Sequence, residues 1–397
     1  MVDTKLESKK VLNPTVIKLG LVSFFADLSS EMLYPITPIF LTTVLGASMT
    51  SVGLIEGLAE SVASLMKTFS GTLSDRISKR KPFIVFGYLL SAVAKPLTGI
   101  ASSWTHVLFI RSLDRTGKGL RGAPRDALLI ESVSLKTRGA ALGWHRAMDT
   151  LGATIGPLLT LLYLNYVDSN MRNLFYLAVI PGLISVGFTL FVKEQIKPQQ
   201  AQSKKHTVSL KWKELPKDFK KLVIFWSVFC LTNSSDVFIL LQAKQHGVSS
   251  TLIILMYCFY NLTYALTSPS LGKLSDRFPR KYVLLFGLTT FAATYLGFSV
   301  ASSAWHFWFL FGIYGLYMAA TDGVSKALAV DLIEVKSSNL KASALGVLGT
   351  MTGISTVIAS TVCGSIWDHF GSHWSFIYGA TGALVATFLI AFKIEHT

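Results

Sequence analysis

Residues 111–126 read Arg111-Ser-Leu-Asp114-Arg115-Thr-Gly-Lys118-Gly-Leu-Arg121-Gly-Ala-Pro-Arg125-Asp126, five cations and two carboxylates inside a stretch whose flanks, 104–110 and 127–130, are largely apolar. At about 100° per residue the seven charged side chains fall within an arc of roughly 140°, and Leu113, Thr116, Leu120 and Leu128 take the other side. A charge at the centre of a bilayer costs at least about 2.5 to 3.5 kcal/mol. Such a face has to look at other helices or a watery cavity, so the rest of the chain must supply them.

The remainder is suited to that. Over 397 residues the chain is 51% hydrophobic and 15% charged, with a mean hydropathy of +0.49. A crossing needs about 20 mainly apolar residues. Twelve such stretches can be marked, at 15–43, 50–73, 82–101, 104–130, 138–164, 172–193, 219–243, 249–272, 282–301, 306–331, 340–365 and 373–393. The reading is an all-α integral membrane protein. The polar MVDTKLESKK start leads into an apolar run long enough to stay in the membrane, so no cleavable signal peptide is expected.

A net charge of +15 would suggest nucleic acid in a soluble protein. Here the cations gather in alternate loops: Arg76 to Lys81, Lys136 and Arg138, nine lysines from Lys193 to Lys221, Arg277 to Lys281, and Lys336 and Lys341, while the loops near 44–50, 101–105 and 301–305 carry none. That asymmetry predicts both termini and the 194–218 loop in the cytoplasm of a plasma (inner) membrane, and no nucleic-acid partner. Cys230, Cys258 and Cys363 lie in apolar spans without metal-ligand spacing and read as core residues; neither a metal nor another cofactor is expected.

The chain repeats itself. Gly71-Thr-Leu-Ser-Asp75-Arg76-Ile-Ser-Lys79-Arg80-Lys81 recurs as Gly272-Lys-Leu-Ser-Asp276-Arg277-Phe-Pro-Arg280-Lys281, and Ala101-Ser-Ser-Trp104 as Ala301-Ser-Ser-Ala-Trp305. Arg138-Gly-Ala-Ala-Leu-Gly143 returns as Lys341-Ala-Ser-Ala-Leu-Gly346, and Ser29-Ser-Glu31 is echoed by Ser234-Ser-Asp236. Two six-helix halves follow, 1–193 and 219–397, joined by the polar linker 194–218.

On these motifs the chain resembles the major facilitator superfamily of secondary transporters over nearly its whole length. That family's loop motif, Gly-x-x-x-Asp-Arg-x-Gly-Arg-Lys, is matched at Gly71, Asp75, Arg76, Lys79 and Arg80, with Ser78 where the second Gly would stand. The resemblance implies two pseudo-symmetric bundles, alternating access, and gating by Asp75 and Arg76 with their repeat copies Asp276 and Arg277. The family's fourth-span motif, Arg-x-x-Gln-Gly-x-Gly-Ala-Ala, aligns with Arg111 at the Arg, Asp114 at the Gln, Arg115 at the first Gly, Gly117 at the second and Lys118 at an Ala. Two small residues have become long cations. Proton-driven drug exporters of the family show Gly-x-x-x-Gly-Pro in the fifth span, matched by Gly152 to Pro157, without the small residues expected after it.

Two readings of the ionic face stay open. Arg111, Arg115, Lys118, Arg121 and Arg125 can bind an anionic carboxylate or phosphate solute, because guanidinium forks match those oxygens two bonds at a time. Alternatively they neutralise the chain's own acids. With Lys67, Lys95 and Arg146 the six N-terminal spans hold eight cations against seven carboxylates, Asp27, Glu31, Glu56, Glu60, Asp114, Asp126 and Asp149. Asp27, Glu31 and Asp149 are the mid-depth candidates for carrying coupling protons, Glu31 with the better case because the repeat offers Asp236 as its counterpart; His145, one turn before Asp149, reads as a hydrogen-bonded helix histidine ahead of a relay, and Asp322 and Lys326 should pair at i, i+4. The C-terminal aromatics, Tyr257, Tyr260, Tyr264, Trp308, Tyr314 and Tyr317, serve as a cavity wall or as packing.

The expectation is therefore a monomeric, proton-coupled carrier of a small anionic solute, by symport or antiport. A proton-coupled multidrug exporter and an anion exchanger are its rivals; the organophosphate exchangers use arginines in the first and seventh spans, where this chain has none. An enzyme is not expected, since no metal cluster, nucleotide-binding Gly-x-x-x-x-Gly-Lys loop or nucleophile elbow appears.

Overall fold

The structure, a computed structural model, describes residues 13–134, 137–194, 215–334 and 341–394. Most of the 194–218 linker, both chain ends and the loop cations Lys136 and Lys336 lie outside the described residues. Among those described the long elements are all α-helices: α1 (Pro14–Glu31), α2 (Thr37–Thr43), α3 (Met49–Ile77), α4 (Lys81–Gly99), α5 (Trp104–Glu131), α6 (Arg138–Tyr166), α7 (Met171–Leu177), α8 (Val179–Leu190), α9 (Lys217–Cys230), α10 (Val237–Gln245), α11 (Ser250–Arg277), α12 (Arg280–Val300), α13 (Ala304–Glu334), α14 (Lys341–Phe370) and α15 (Ser372–Lys393). These fifteen helices form twelve spans, since α1 with α2, α7 with α8 and α9 with α10 are each one interrupted crossing. Seven of the spans are long and apolar enough to cross a membrane by length and composition alone. The others are shortened by breaks or carry ionic faces.

Local chemistry sets these boundaries. The carboxamide oxygen of Asn13 accepts from the backbone N–H groups of Thr15 and Val16 at 2.9 Å, and Pro14, which has no N–H to leave unsatisfied, opens α1. After Glu31 the chain turns through 32–36, where Pro35 cannot donate, and α2 restarts with Pro38 in its first turn. The seventh span breaks at Leu231-Thr-Asn-Ser-Ser-Asp236, side chains that compete with the helix for backbone hydrogen bonds. Carried over by the spacing of Gly71 and Gly272, the first break falls on 233–237 and overlaps the second. The repeat thus extends to where the helices stop.

The chain divides into two compact units, Met1–Tyr34 with Leu65–Ala101 and Phe109–Ser203, and Pro35–Ser64 with Ser102–Leu108 and Lys204–Thr397. These are not the halves of the repeat. Within the second unit α2 packs on α10, and a Cβ on Gly57 of α3 would stand 2.7 Å from Val357 Cα of α14. The N-terminus of α3 is capped from α14: Asp368 accepts from Met49 N at 3.0 Å, Thr50 N at 2.8 Å and Thr50 Oγ1 at 2.6 Å. A carboxylate at a helix N-terminus satisfies orphan donors and meets the positive end of the dipole. That is why 35–64 groups with the later helices.

In the first unit glycines set the approach of helices. A Cβ on Gly117 of α5 would lie 2.5 Å from Gly87 O and 2.7 Å from Ser91 Oγ of α4, so α4 and α5 touch backbone to backbone there. Gly156 of α6 stands likewise against α1, where a Cβ would meet Leu28 O at 2.8 Å and Met32 N at 2.9 Å. The fifth-span Gly-x-x-x-Gly thus has a packing role of its own. Around these seams Val16, Leu19, Val22, Ala26, Ile84, Tyr88, Leu128 and Leu129 form the unit's core. Gly117→Ala should destabilise the protein by about 1–3 kcal/mol through forced separation of α4 and α5. Gly143→Ala, on α6 with open space around it, should be neutral or stabilising by up to about 1 kcal/mol. Thermal unfolding of the two purified variants in one detergent measures the contrast, and an equal Tm for both would contradict the seam.

Candidate functional site

The ionic face of α5 meets α1, α4 and α6 within the first unit. Ser23 and Asp27 share one face of α1 and His145 and Asp149 one face of α6, each pair at i, i+4. The Ser23 hydroxyl donates to Asp149, and the Arg125 guanidinium reaches Ser23 Oγ at 3.3 Å, Tyr88 Oη at 3.5 Å and Asp126 Oδ1 at 2.9 Å. His145 Nδ1 lies 3.5 Å from Asp149 Oδ2, and its Nε2 is buried without a hydrogen-bond partner among the described residues. Asp27 interacts electrostatically with Asp149, Lys118, Arg121 and Arg125. Five of the eight solute and coupling candidates therefore come together.

Arg121 is buried, donates to Ser91 Oγ at 2.8 Å and stacks over the Tyr88 ring, 4.2 Å from its centroid. Ser91 in turn donates to the Asp114 carbonyl at 3.0 Å, which ties the cation into the Gly87–Gly117 seam. Towards the start of α5, Arg111 pairs with Asp114 at 3.6 Å, and Asp114 also interacts with Arg115 and the buried Lys95 of α4. The face is thus two layers, one around Asp114 and one around Asp27, with Arg121 interacting with both acids. Lys118 is the exposed cation of the row. Glu31 closes α1 beside Gly156, one turn beyond Asp27. Tyr88 and Ser91 were missed in the sequence, where a hydroxyl on an apolar helix carries no distinguishing signal.

In the repeated loop motif the bridging cations are Arg80 and Arg280. Arg80 binds Asp75 at 2.9 Å and forks onto Glu131 of α5, with Nη2 at 2.7 Å and Nε at 3.1 Å from its carboxylate. Arg280 repeats this with Asp276 at 3.3 Å and Asp331 of α13 at 2.6 Å. The next residue repeats as well: Lys81 Nζ donates to Leu190 O at 2.7 Å, and Lys281 Nζ to Ala391 O at 2.8 Å and Ile394 O at 2.6 Å, at the C-terminal ends of α8 and α15. Arg76 and Arg277 are exposed, with no ion pair among the described residues. The second copy is one residue shorter between its Asp-Arg pair and the bridging arginine, and the turn differs in backbone conformation. Ser78, where the family has glycine, takes φ 57°, the left-handed region, whereas Pro279 in the second copy has φ −53°.

The second unit holds a site of another kind. Asp236, at the start of α10, accepts from Tyr314 Oη at 2.8 Å through Oδ1 and from Tyr260 Oη at 3.1 Å through Oδ2. Tyr260 and Tyr314 pack at 5.4 Å, Tyr314 and Tyr317 at 5.1 Å, and Asn233 Nδ2 donates to Tyr317 Oη at 3.1 Å. Of the aromatics left as cavity wall or packing, Tyr260, Tyr314 and Tyr317 are here part of a buried hydrogen-bonded cluster. The expected Lys326–Asp322 pair forms at 2.6 Å, with Tyr264 donating to the other Asp322 oxygen at 3.1 Å.

A non-glycine residue held at positive φ carries a steric cost of about 1–2 kcal/mol. Ser78→Gly should therefore raise stability by about 0.5–1 kcal/mol once the added freedom of the unfolded chain is set against it. Ser78→Val should lower it. Thermal unfolding of both variants is the check, and a lower Tm for Ser78→Gly would contradict the strain.

Comparison with known proteins fits this geometry. The sequence profile of the Major Facilitator Superfamily matches residues 19–242 and again 223–397. An uncharacterized MFS-type transporter of Methanocaldococcus jannaschii is 36% identical over 392 residues, covering 97% of this chain and 96% of its own. Among solved structures, nucleoside transporter NupG superposes with a TM-score of 0.79 at 14% identity, covering 96% of this chain and all of its own. A D-xylose-proton symporter superposes at 0.72 and 18% identity, with 96% of each chain covered; at these identities both speak for the fold. With the profile matching twice and a relative aligned end to end, this chain belongs to the Major Facilitator Superfamily and is a multi-pass membrane transporter.

Proposed function

We propose that this transporter carries a small anionic solute by alternating access, coupled to protons, with Lys118 and Arg115 as its solute contacts. The observation that carries the reading is the unequal state of the α5 cations. Arg121 is buried and Arg125 half-buried, beside Ser91, Tyr88, Ser23 and Asp126, and Lys118 is the exposed cation on the same face, within the field of Asp27. Arg111 and Arg115 support it from the Asp114 layer, and Arg121 and Arg125 hold the acids in place. Residues 1–193 and 219–397 are the two bundles of the cycle, with 194–218 as cytoplasmic linker, in a monomer whose termini face the cytoplasm of the plasma membrane. Asp75, Arg76, Asp276 and Arg277 mark the gating loops, and Arg80 and Arg280 close them.

Coupling follows from competition for charge. Asp27 interacts with Lys118, Arg121 and Arg125, and Arg125 interacts with Asp149 as well. An anion arriving at Lys118 withdraws that cation from Asp27, and a proton on Asp27 or Asp149 restores neutrality in a medium where net charge is expensive. Glu31, at the end of α1, extends the pathway. Each negative charge moved inward against about 100 mV, inside negative, costs about 2.3 kcal/mol, which co-transported protons or an exchanged anion offset during uptake of a polyanion.

A thermal-shift screen of the detergent-purified protein against citrate, polycarboxylate chelators, sugar phosphates and lipophilic cations tests the reading. A ligand bound at about 100 times its Kd adds about 2.7 kcal/mol to the folded state. The expected result is stabilisation by one anion class, lost in Lys118→Ala, with the variant's own Tm near that of the parent. Stabilisation by lipophilic cations alone would overturn the anion reading and leave the α5 face an internal ion-pair network. In Asp27→Asn the stabilising effect of the same anion should lose its pH dependence, and an unchanged pH profile would remove Asp27 from the coupling.

A further inference from the structure

We propose that Asp236 is a proton-carrying site of the transporter, separate from the α1, α5 and α6 carboxylates, and built so that, among the described residues, its charge is cancelled by a proton and by no counter-cation. Asp236 sits where the seventh span breaks, so its carboxylate lies between α9 and α10 rather than on a helix face. Its partners are neutral hydroxyls, Tyr314 of α13 on one oxygen and Tyr260 of α11 on the other. The remaining ionisable groups around it are Tyr295 of α12, Tyr317 of α13 and Glu60 of α3. Among the described residues no lysine, arginine or histidine pairs with it. The α13 cation, Lys326, is engaged by Asp322.

The contrast with the first unit decides the inference. Asp27, Asp114 and Asp149 each have guanidinium or ammonium groups within electrostatic reach, whereas Asp236 has a second carboxylate, Glu60, which adds like charge. A carboxylate buried without a counter-cation loses its hydration uncompensated, and two tyrosine hydroxyls recover only part of that loss. Taking one proton from solvent onto a carboxylate oxygen removes the charge, and release to solvent restores it; both tyrosines remain neutral throughout. Glu60, the other carboxylate near it, is exposed. Moving α11 or α13 away from α10 would remove a donor and so alter how firmly the proton is held, which links the site to conformation.

This deepens the coupling part of the proposed function and is independent of which solute binds at Lys118. Infrared difference spectroscopy of the full-length protein in lipid, titrated with pH in potassium buffer, reads it without any solute. The expected result is a protonated-carboxyl stretch that is lost reversibly on raising pH, is absent in Asp236→Asn, and moves to higher frequency in Tyr314→Phe because one hydrogen bond to the group is gone. A spectrum of Asp236→Asn that matches the parent at every pH would overturn the proposal. So would a sodium-dependent rise in Tm, lost in Asp236→Asn, with no carboxyl band, since the compensating cation would then be a metal ion. Should Asp236→Asn be too unstable to purify, Tyr260→Phe and Tyr314→Phe decide alone, as neither can move the band unless Asp236 gives rise to it. Failure of the Lys118→Ala experiment would leave this spectrum unchanged.

Discussion

A charged side chain in the hydrocarbon layer of a membrane has to find its compensation within the protein, and most of this chain's arrangement follows from that requirement. The cations and acids of α5 form a face that needs partners on three neighbouring helices. Those helices can approach only because glycines stand where they cross, Gly87 against Gly117 and Gly156 against Leu28. Close backbone contact and ionic compensation are therefore one design. Arg121 bonds to Ser91, and Ser91 lies in the seam that Gly117 opens. A larger residue at 117 would move the guanidinium as well as the helix.

How much of this was legible depends on range. The twelve spans, the repeat and the crowding of charge on α5 are properties of neighbouring residues, and hydropathy and 3.6-residue periodicity report them. The Asp322–Lys326 pair is one turn long and was foreseen for the same reason. Partnership across helices is not encoded that way. Tyr260 and Tyr314 lie 24 and 78 residues from Asp236, and nothing local marks them apart from Tyr257 or Tyr317. The loop motif shows a subtler limit: matching it drew attention to Arg76 and Arg277, while the ion pairs are made by Arg80 and Arg280, whose fork has acids at the ends of α5 and α13 within reach. A motif gives the residue types of a contact and leaves its geometry to the fold.

The breaks in the first and seventh spans were readable only in part. Pro35 announces the first, but the second contains no proline and rests on Asn233, Ser234, Ser235 and Asp236, residues that also occur inside membrane helices. Both breaks place an acidic residue at a helix end, Glu31 in the last turn of α1 and Asp236 just before the first of α10. The echo in sequence thus becomes a resemblance in position without becoming one in environment, since one acid stands beside α6 and the other among tyrosines.

That difference bears on what each half can do in a cycle. An arginine paired with a carboxylate is stable as a pair, and separating the two leaves both charges uncompensated, a loss of several kcal/mol. Such pairs suit fixed structure, or an exchange in which a solute anion takes the acid's place. A carboxylate held by tyrosine hydroxyls is different, because its donors are neutral and remain satisfied or solvated whether or not the acid carries its proton. The protonated form needs no partner to be moved through the membrane interior, and the ionised form needs only water. Reversible proton carriage is therefore easier to build from Asp236 and its tyrosines than from the densely charged α5 face. The two repeats thus differ in how a buried acid is compensated, by guanidinium and ammonium groups around Asp27 and by tyrosine hydroxyls at Asp236.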